Sequence, residues 1–138
     1  MTDHDIASAV SPEAVSVTFA ALLVWLSALV QHFSNVHQRG PQYVMSDRSV
    51  SPSLEGFHGR ATRTLANNIE SALMWALPVA VIIVTHRTTL VSQYCAMTYM
   101  SARAVFALSY WLKIPVVRSL AWFVGMVCCA TVIVSAVV

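Results

Sequence analysis

Charge is what this 138-residue chain has least of: 10% of its residues are charged, while 57% are hydrophobic. A soluble domain carries about a quarter charged residues, so this chain has too little polar surface to cover itself in water. It reads as a membrane protein. The net charge of +2 is small and the basic residues are scattered, which leaves no nucleic-acid footprint. Cysteine is scarce too. Cys95, Cys128 and Cys129 all stand inside apolar runs. Neither a disulfide framework nor a zinc spacing can be built from them, and they read as small buried apolar residues. His32, His37 and His58 lack a ligand spacing, so no metal is expected. Repeats and low-complexity segments are missing. Residues 1–13 carry Asp3, Asp5 and Glu13 but not the basic start of a cleaved signal peptide.

What the chain does have is apolar runs of membrane length. Spans are expected at about 14–33, 62–84, 89–111 and 116–138, forming a single membrane domain over 1–138. Ser11-Pro12-Glu13 opens the first, with a capping hydroxyl, a proline at the first helical position and an acid in the first turn. The loop at 34–58 is punctuated by Gly40-Pro41, Ser51-Pro52 and Gly56, and Ser51-Pro52 is a candidate for a short surface turn of helix. Pro78 is expected to bend the second span. Thr85-His86-Arg87 and Lys113-Ile114-Pro115 make the two short connections. The third span is the least lipid-like, with Gln93, Tyr94, Thr98, Tyr99, Ser101, Arg103 and Tyr110, and is expected to line an interior. The fold class is therefore all-α, an antiparallel four-helix bundle. Arg39, Arg48, Arg60, Arg63, Lys113 and Arg118 lie in or beside the first and third loops. By the positive-inside rule both loops face the cytoplasm and both termini lie outside.

Depth can be counted on this topology. Arg63, Asn67 and Glu70 stand at i, i+4 and i+7 and share one stripe. Glu70 then lies about 10 Å below Arg63, and Arg103 about 10 Å below Tyr110. A charge at that depth costs about 2–3 kcal/mol. Glu70 and Arg103, opposite in sign and level, are the expected structural ion pair. Arg118 joins Arg63 and Tyr110 at the rim. Two rim cations above an inner acid suit a small ligand with carboxylates and an ammonium group. The same spacing also fits a purely structural reading, in which Glu70 and Arg103 fix helix register while Arg63 and Arg118 snorkel to headgroups.

These residues resemble the MAPEG superfamily, the membrane-associated proteins in eicosanoid and glutathione metabolism. Arg63-x3-Asn67-x2-Glu70 is similar to the family's motif in the second helix, and Arg103-x6-Tyr110 to its arginine–tyrosine pair in the third. Val117-Arg118-Ser119 resembles the Arg-Ser of the family's prostaglandin E synthases, as does the loop Gly40-Pro41-Gln42-Tyr43 with Ser46-Asp47. The resemblance implies a homotrimer with glutathione as co-substrate, bound between subunits near the cytoplasmic face. It assigns catalysis to Arg118, as stabiliser of the thiolate, and glutathione binding to Arg63, Asn67, Glu70, Tyr110 and Ser119. It also implies a lipophilic small-molecule substrate arriving from membrane lipid.

The chain departs from the family pattern at Ala66, Phe106 and Trp122, where some members carry arginine, histidine or tyrosine, and tyrosine. The spacing from Tyr110 to Arg118 is one residue shorter than in the prostaglandin enzyme, and the first span has no arginine. These departures argue against a prostaglandin-specific isomerase. The leading expectation is a glutathione transferase or peroxidase of a bacterial inner membrane. The alternative is a non-catalytic, trimeric lipid-binding or accessory subunit of the same fold.

Overall fold

The computed structural model describes residues 10–47, 49 and 53–137. Asp3, Asp5, Arg48 and the turn expected at Ser51-Pro52 lie outside the described residues. The described chain is all helix and connection. Four long helices carry it: α1 (Pro12–Arg39), α2 (Gly56–Val84), α3 (Leu90–Trp111) and α4 (Pro115–Val137). A single helical turn, Pro41–Val44, follows α1.

Helix ends follow the local chemistry of the sequence. Ser11 caps α1, its hydroxyl oxygen accepting from the Ala14 N–H at 3.2 Å. Thr89 and Ser92 open α3 with a reciprocal capping box. Gly40, at φ 80°, stops α1, and its N–H returns to Val36 O at 2.8 Å. α1 and α2 outrun the expected spans, which were drawn where apolar residues thin out. The helices continue to the first true stop signals, Gly40-Pro41 and Gly56, because polar residues hold helix as well as apolar ones do. Pro78 sits within α2, which continues through it.

Polar contacts fix the mutual direction of the helices. Along α1 and α2, Trp75 Nε1 donates to Ser16 Oγ (2.9 Å), Asn68 Nδ2 donates to Ser27 Oγ (2.7 Å), and Ser34 Oγ meets His58 Nδ1 (2.7 Å). One set of numbers rises as the other falls, so the two helices run antiparallel. Ser71 with Tyr99 (3.0 Å) and Arg60 with the Trp111 carbonyl (3.3 Å) give the same result for α2 and α3. The closest pairings are α3 with α4 and α1 with α2.

The core centres on Trp75, stacked on Tyr99 with ring centroids 4.1 Å apart, among Val79, Ile82, Ala96, Cys129 and Val132. Cys128 and Cys129 are buried, as expected, and Cys95 is half-buried. The interior also takes in polar side chains: Ser92 Oγ donates to Glu13 Oε1, and Thr64, Asn68 and Arg103 are buried. Between helices in lipid such bonds contribute about 0.6 kcal/mol on average, with a maximum near 1.7. They select one arrangement of helices more than they stabilise it.

Among the described residues α1, α2 and α4 are long and apolar enough to cross a membrane. α3 is not one of them, in keeping with its polar content. Ser92, Tyr99, Arg103 and Ser109 of α3 do turn inward, but Tyr94, Thr98 and Ser101 are exposed. The interior-lining role expected of this helix holds for one face only.

Candidate functional site

At the Arg39 end of the molecule, the start of α2, the end of α3 and the start of α4 enclose a cavity of about 660 Å³. Arg60 and Arg63 come from the first two turns of α2, and Tyr110 from the last turn of α3. Lys113 sits in the connection and Arg118 in the first turn of α4. Leu54, Glu55 and Gly56 form the remaining wall. Among the described residues four cations and one carboxylate thus share one small volume.

Each of the three arginines is positioned by a neighbour. The Arg118 guanidinium lies over the Tyr110 ring, 4.8 Å from its centroid. Arg60 Nε donates to the Trp111 carbonyl at 3.3 Å, and its guanidinium lies 5.6 Å from the Phe57 ring. Arg63 reaches back to donate to the Leu54 carbonyl at 3.4 Å. That carbonyl presses on Gly59, where a Cβ would come within 1.8 Å of it. Only glycine lets the wall lie so close to α2. Four like charges repel, and the first-turn N–H groups of α4 add positive potential at the same place. Together they make the cavity electropositive.

Three expected residues, Arg63, Tyr110 and Arg118, are brought together here. The rest are not. Ser119 is exposed outside the cavity lining, and its hydroxyl donates to the Pro115 carbonyl of its own helix at 3.0 Å. Asn67 lies deeper, with Oδ1 accepting from Arg103 Nη2 at 2.9 Å.

The expected Glu70–Arg103 pair must be corrected. Arg103, 2% exposed, bonds to Asn67 and to the Asn68 side-chain oxygen, with its guanidinium 4.3 Å from the Phe106 ring centroid. Glu70 is exposed on the single chain and forms no ion pair with Arg103 among the described residues. Arg103 meets α2 at Asn67 and Asn68, within one turn of Glu70 along the helix. The helix phase is what differs. The inward stripe of α2 runs Ala61, Thr64, Asn68, Ser71, Trp75, Val79, Ile82, and Glu70 stands about 200° round from Asn68. The missed signal was small and hydroxyl residues at helical spacing, which mark buried faces in membrane helices better than hydrophobicity does.

Arg60, Lys113 and Glu55 also line the cavity, although in the sequence the two cations mark only orientation. Arg60 stands one turn before Arg63 and Lys113 three residues after Tyr110, spacings that put them at the same rim. Among the described residues no group of three histidine, cysteine or acidic side chains could hold a metal ion.

The MAPEG family model matches residues 13–138, a stretch that contains the four long helices but for the first residue of α1 and every described residue of the cationic cavity. The chain belongs to the MAPEG family. No curated protein and no solved structure matches it. Family membership and three apolar helices make this an integral membrane protein in contact with lipid. They also connect it, in general terms, with glutathione-related function at a membrane.

Proposed function

We propose that this MAPEG protein is a membrane-bound glutathione transferase or peroxidase, with glutathione held in the cationic cavity and its thiolate stabilised by Arg118. The carrying observation is the convergence of Arg60, Arg63, Lys113 and Arg118 on one cavity, with the Arg118 guanidinium over the Tyr110 ring. Glutathione presents two carboxylates and a thiol, and the cavity offers cations enough for all three. A free thiol has a pKa of about 8.5, so at neutral pH it is mostly protonated and weakly nucleophilic. A guanidinium beside the sulfur favours the thiolate. The proton leaves to water, and the sulfur then bonds to the electrophilic carbon of a lipophilic substrate entering from the bilayer. As it does so, that carbon's bond to a leaving group such as halide breaks and the anion departs, or an epoxide C–O bond opens and its oxygen takes a proton from water.

The same reading takes the four helices as an antiparallel four-helix bundle assembled as a homotrimer. Its setting is the bacterial inner membrane, with both termini outside and the cavity facing the cytoplasm. Exposed Glu70 supports an assembly, because an ionisable group within a span needs protein or water against it. In a trimer Glu70 and Asn67 would complete the glutathione site from a subunit boundary. The non-catalytic alternative is favoured by one observation: Asn67 is already engaged with Arg103.

Isothermal titration of glutathione into detergent-purified protein tests the reading. Saturable binding at one site per chain is expected. No binding by wild-type protein would shift the conclusion to a lipid-binding accessory role.

A further inference from the structure

The cationic cavity holds a charge of the opposite sign, and its position bears on which thiols the cavity can tell apart. Glu55 lines it together with Arg60, Arg63, Lys113 and Arg118, and is the one carboxylate in that lining among the described residues. Glu55 caps α2 through its backbone. Its carbonyl accepts from the Gly59 N–H at 3.2 Å, while its side chain makes no capping bond. The carboxylate is therefore not committed to closing the helix. Glu55 also borders a second cavity, of about 800 Å³, towards α1, but the four cations attract its charge to the first.

Arg63 belongs to the same wall. Glu55, Gly59 and Arg63 stand at i, i+4 and i+8, on one side of α2. Arg63 Nη1 donates to the carbonyl of Leu54, the residue before Glu55, at 3.4 Å. Gly59 leaves room for that carbonyl to lie against the helix between them. The α2 wall thus presents an acid and a guanidinium side by side. The wall built by the α3–α4 connection and α4 brings Lys113 and Arg118, two charges of one sign.

An α-amino acid head carries an ammonium and a carboxylate on one carbon, so its receptor needs an acid next to a cation. A plain dicarboxylate needs cations alone. Glutathione bound as its thiolate has three anionic groups and one cationic group. The cavity offers the inverse, four cations and one acid.

We propose that Glu55 recognises the ammonium of the γ-glutamyl head, with the α-carboxylate of that head on Arg63, so that the site selects thiols bearing a free α-amino group. This rests on reading the cationic cavity as the thiol site. It orients the tripeptide, with the amino acid head on the α2 wall and the sulfur at Arg118. It also gives Glu55 the acidic role that the sequence suggested for Glu70, which is exposed outside the cavity lining.

Titration calorimetry of detergent-purified protein tests this, using glutathione and glutaryl-cysteinylglycine, the same thiol with hydrogen in place of the ammonium. Wild type is expected to bind glutathione about tenfold or more tighter than the des-amino thiol, since the latter leaves the carboxylate without a partner. Glu55→Gln is expected to weaken glutathione binding about tenfold while the des-amino thiol binds at least as tightly as before. Glu70→Gln is expected to keep the preference. A purely structural role for Glu55 would weaken both ligands alike, and a role in tempering the cations would tighten both. Either result overturns the proposal, as does a preference lost in Glu70→Gln but kept in Glu55→Gln. If wild type binds both thiols equally, the thiol site stands and the role of Glu55 falls. If it binds neither, the thiol reading falls and takes the role of Glu55 with it.

Discussion

Replacing Arg118 by alanine removes one guanidinium from the cationic cavity and leaves Arg60, Arg63 and Lys113 in place. At 4 Å and an effective dielectric constant of 20, a guanidinium favours an anion by about 4 kcal/mol. Arg118 is half-buried at a rim open to solvent, so about half of that, near 2 kcal/mol, is a reasonable share. This equals about 1.5 pKa units and would bring a thiol from about 8.5 to about 7. At pH 7 roughly half of bound glutathione would then be thiolate, against about 3% without Arg118. Arg118→Ala is expected to lower conjugation of a model electrophile about fifteenfold at pH 7, and the deficit should shrink above pH 8.5 as the thiol ionises unaided. Ultraviolet thiolate absorbance of the bound tripeptide, titrated against pH, measures the ionisation directly. Arg118→Lys should keep part of the effect through charge alone, although an ammonium lacks the planar fork of the guanidinium that lies over Tyr110. Equal thiolate fractions in wild type and Arg118→Ala would refute the electrostatic role. A rate deficit undiminished at high pH would show that Arg118 acts by something other than ionising sulfur.

Three further outcomes are expected. In double-mutant cycles Asn68→Leu and Arg103→Gln should couple by about 1 kcal/mol or more, whereas Glu70→Gln and Arg103→Gln should be additive within about 0.5 kcal/mol; strong coupling in the second cycle would restore the ion pair. Gly59→Ala forces the Leu54 carbonyl off α2 and should weaken glutathione binding about tenfold or more while the helices persist by circular dichroism, the wall being part of the cavity. A cysteine placed at Ser46 should react with impermeant maleimide only from the cytoplasmic side, and one at Arg87 only from the other; the opposite pattern would put the cavity outside the cell.

Helix existence and the short connections were legible because apolar runs of membrane length and the signals at Ser11-Pro12, Gly40-Pro41 and Lys113-Ile114-Pro115 leave few alternatives. The rim cluster of Arg63, Tyr110 and Arg118 was legible for a simple reason: charge near a helix end fixes depth, and depth is countable. Rotation about the helix axis was harder to read. In lipid the outer face is as apolar as the inner one, so Leu73 and Leu77 point outward while Thr64, Asn68 and Ser71 turn in. Hydrophobic periodicity carries little phase under those conditions, and Glu70 was therefore assigned to the wrong neighbour. Arg60 and Lys113 were hidden differently, since a basic residue near a membrane boundary serves orientation and ligand binding alike.

Lys113 sits where glycine is the usual occupant. It follows α3 at φ 63°, its N–H returning to Tyr110 O at 3.3 Å while the Ile114 N–H reaches Ser109 O at 2.9 Å. This is a Schellman ending with a lysine in its left-handed position, a conformation that costs a side-chain-bearing residue about 1 kcal/mol or more. The chain tolerates that strain at a turn position whose side chain adds a cation to the cavity. Lys113→Gly should therefore raise the melting temperature and weaken anion binding together, so a selection for thermostability alone would erode the site at this position.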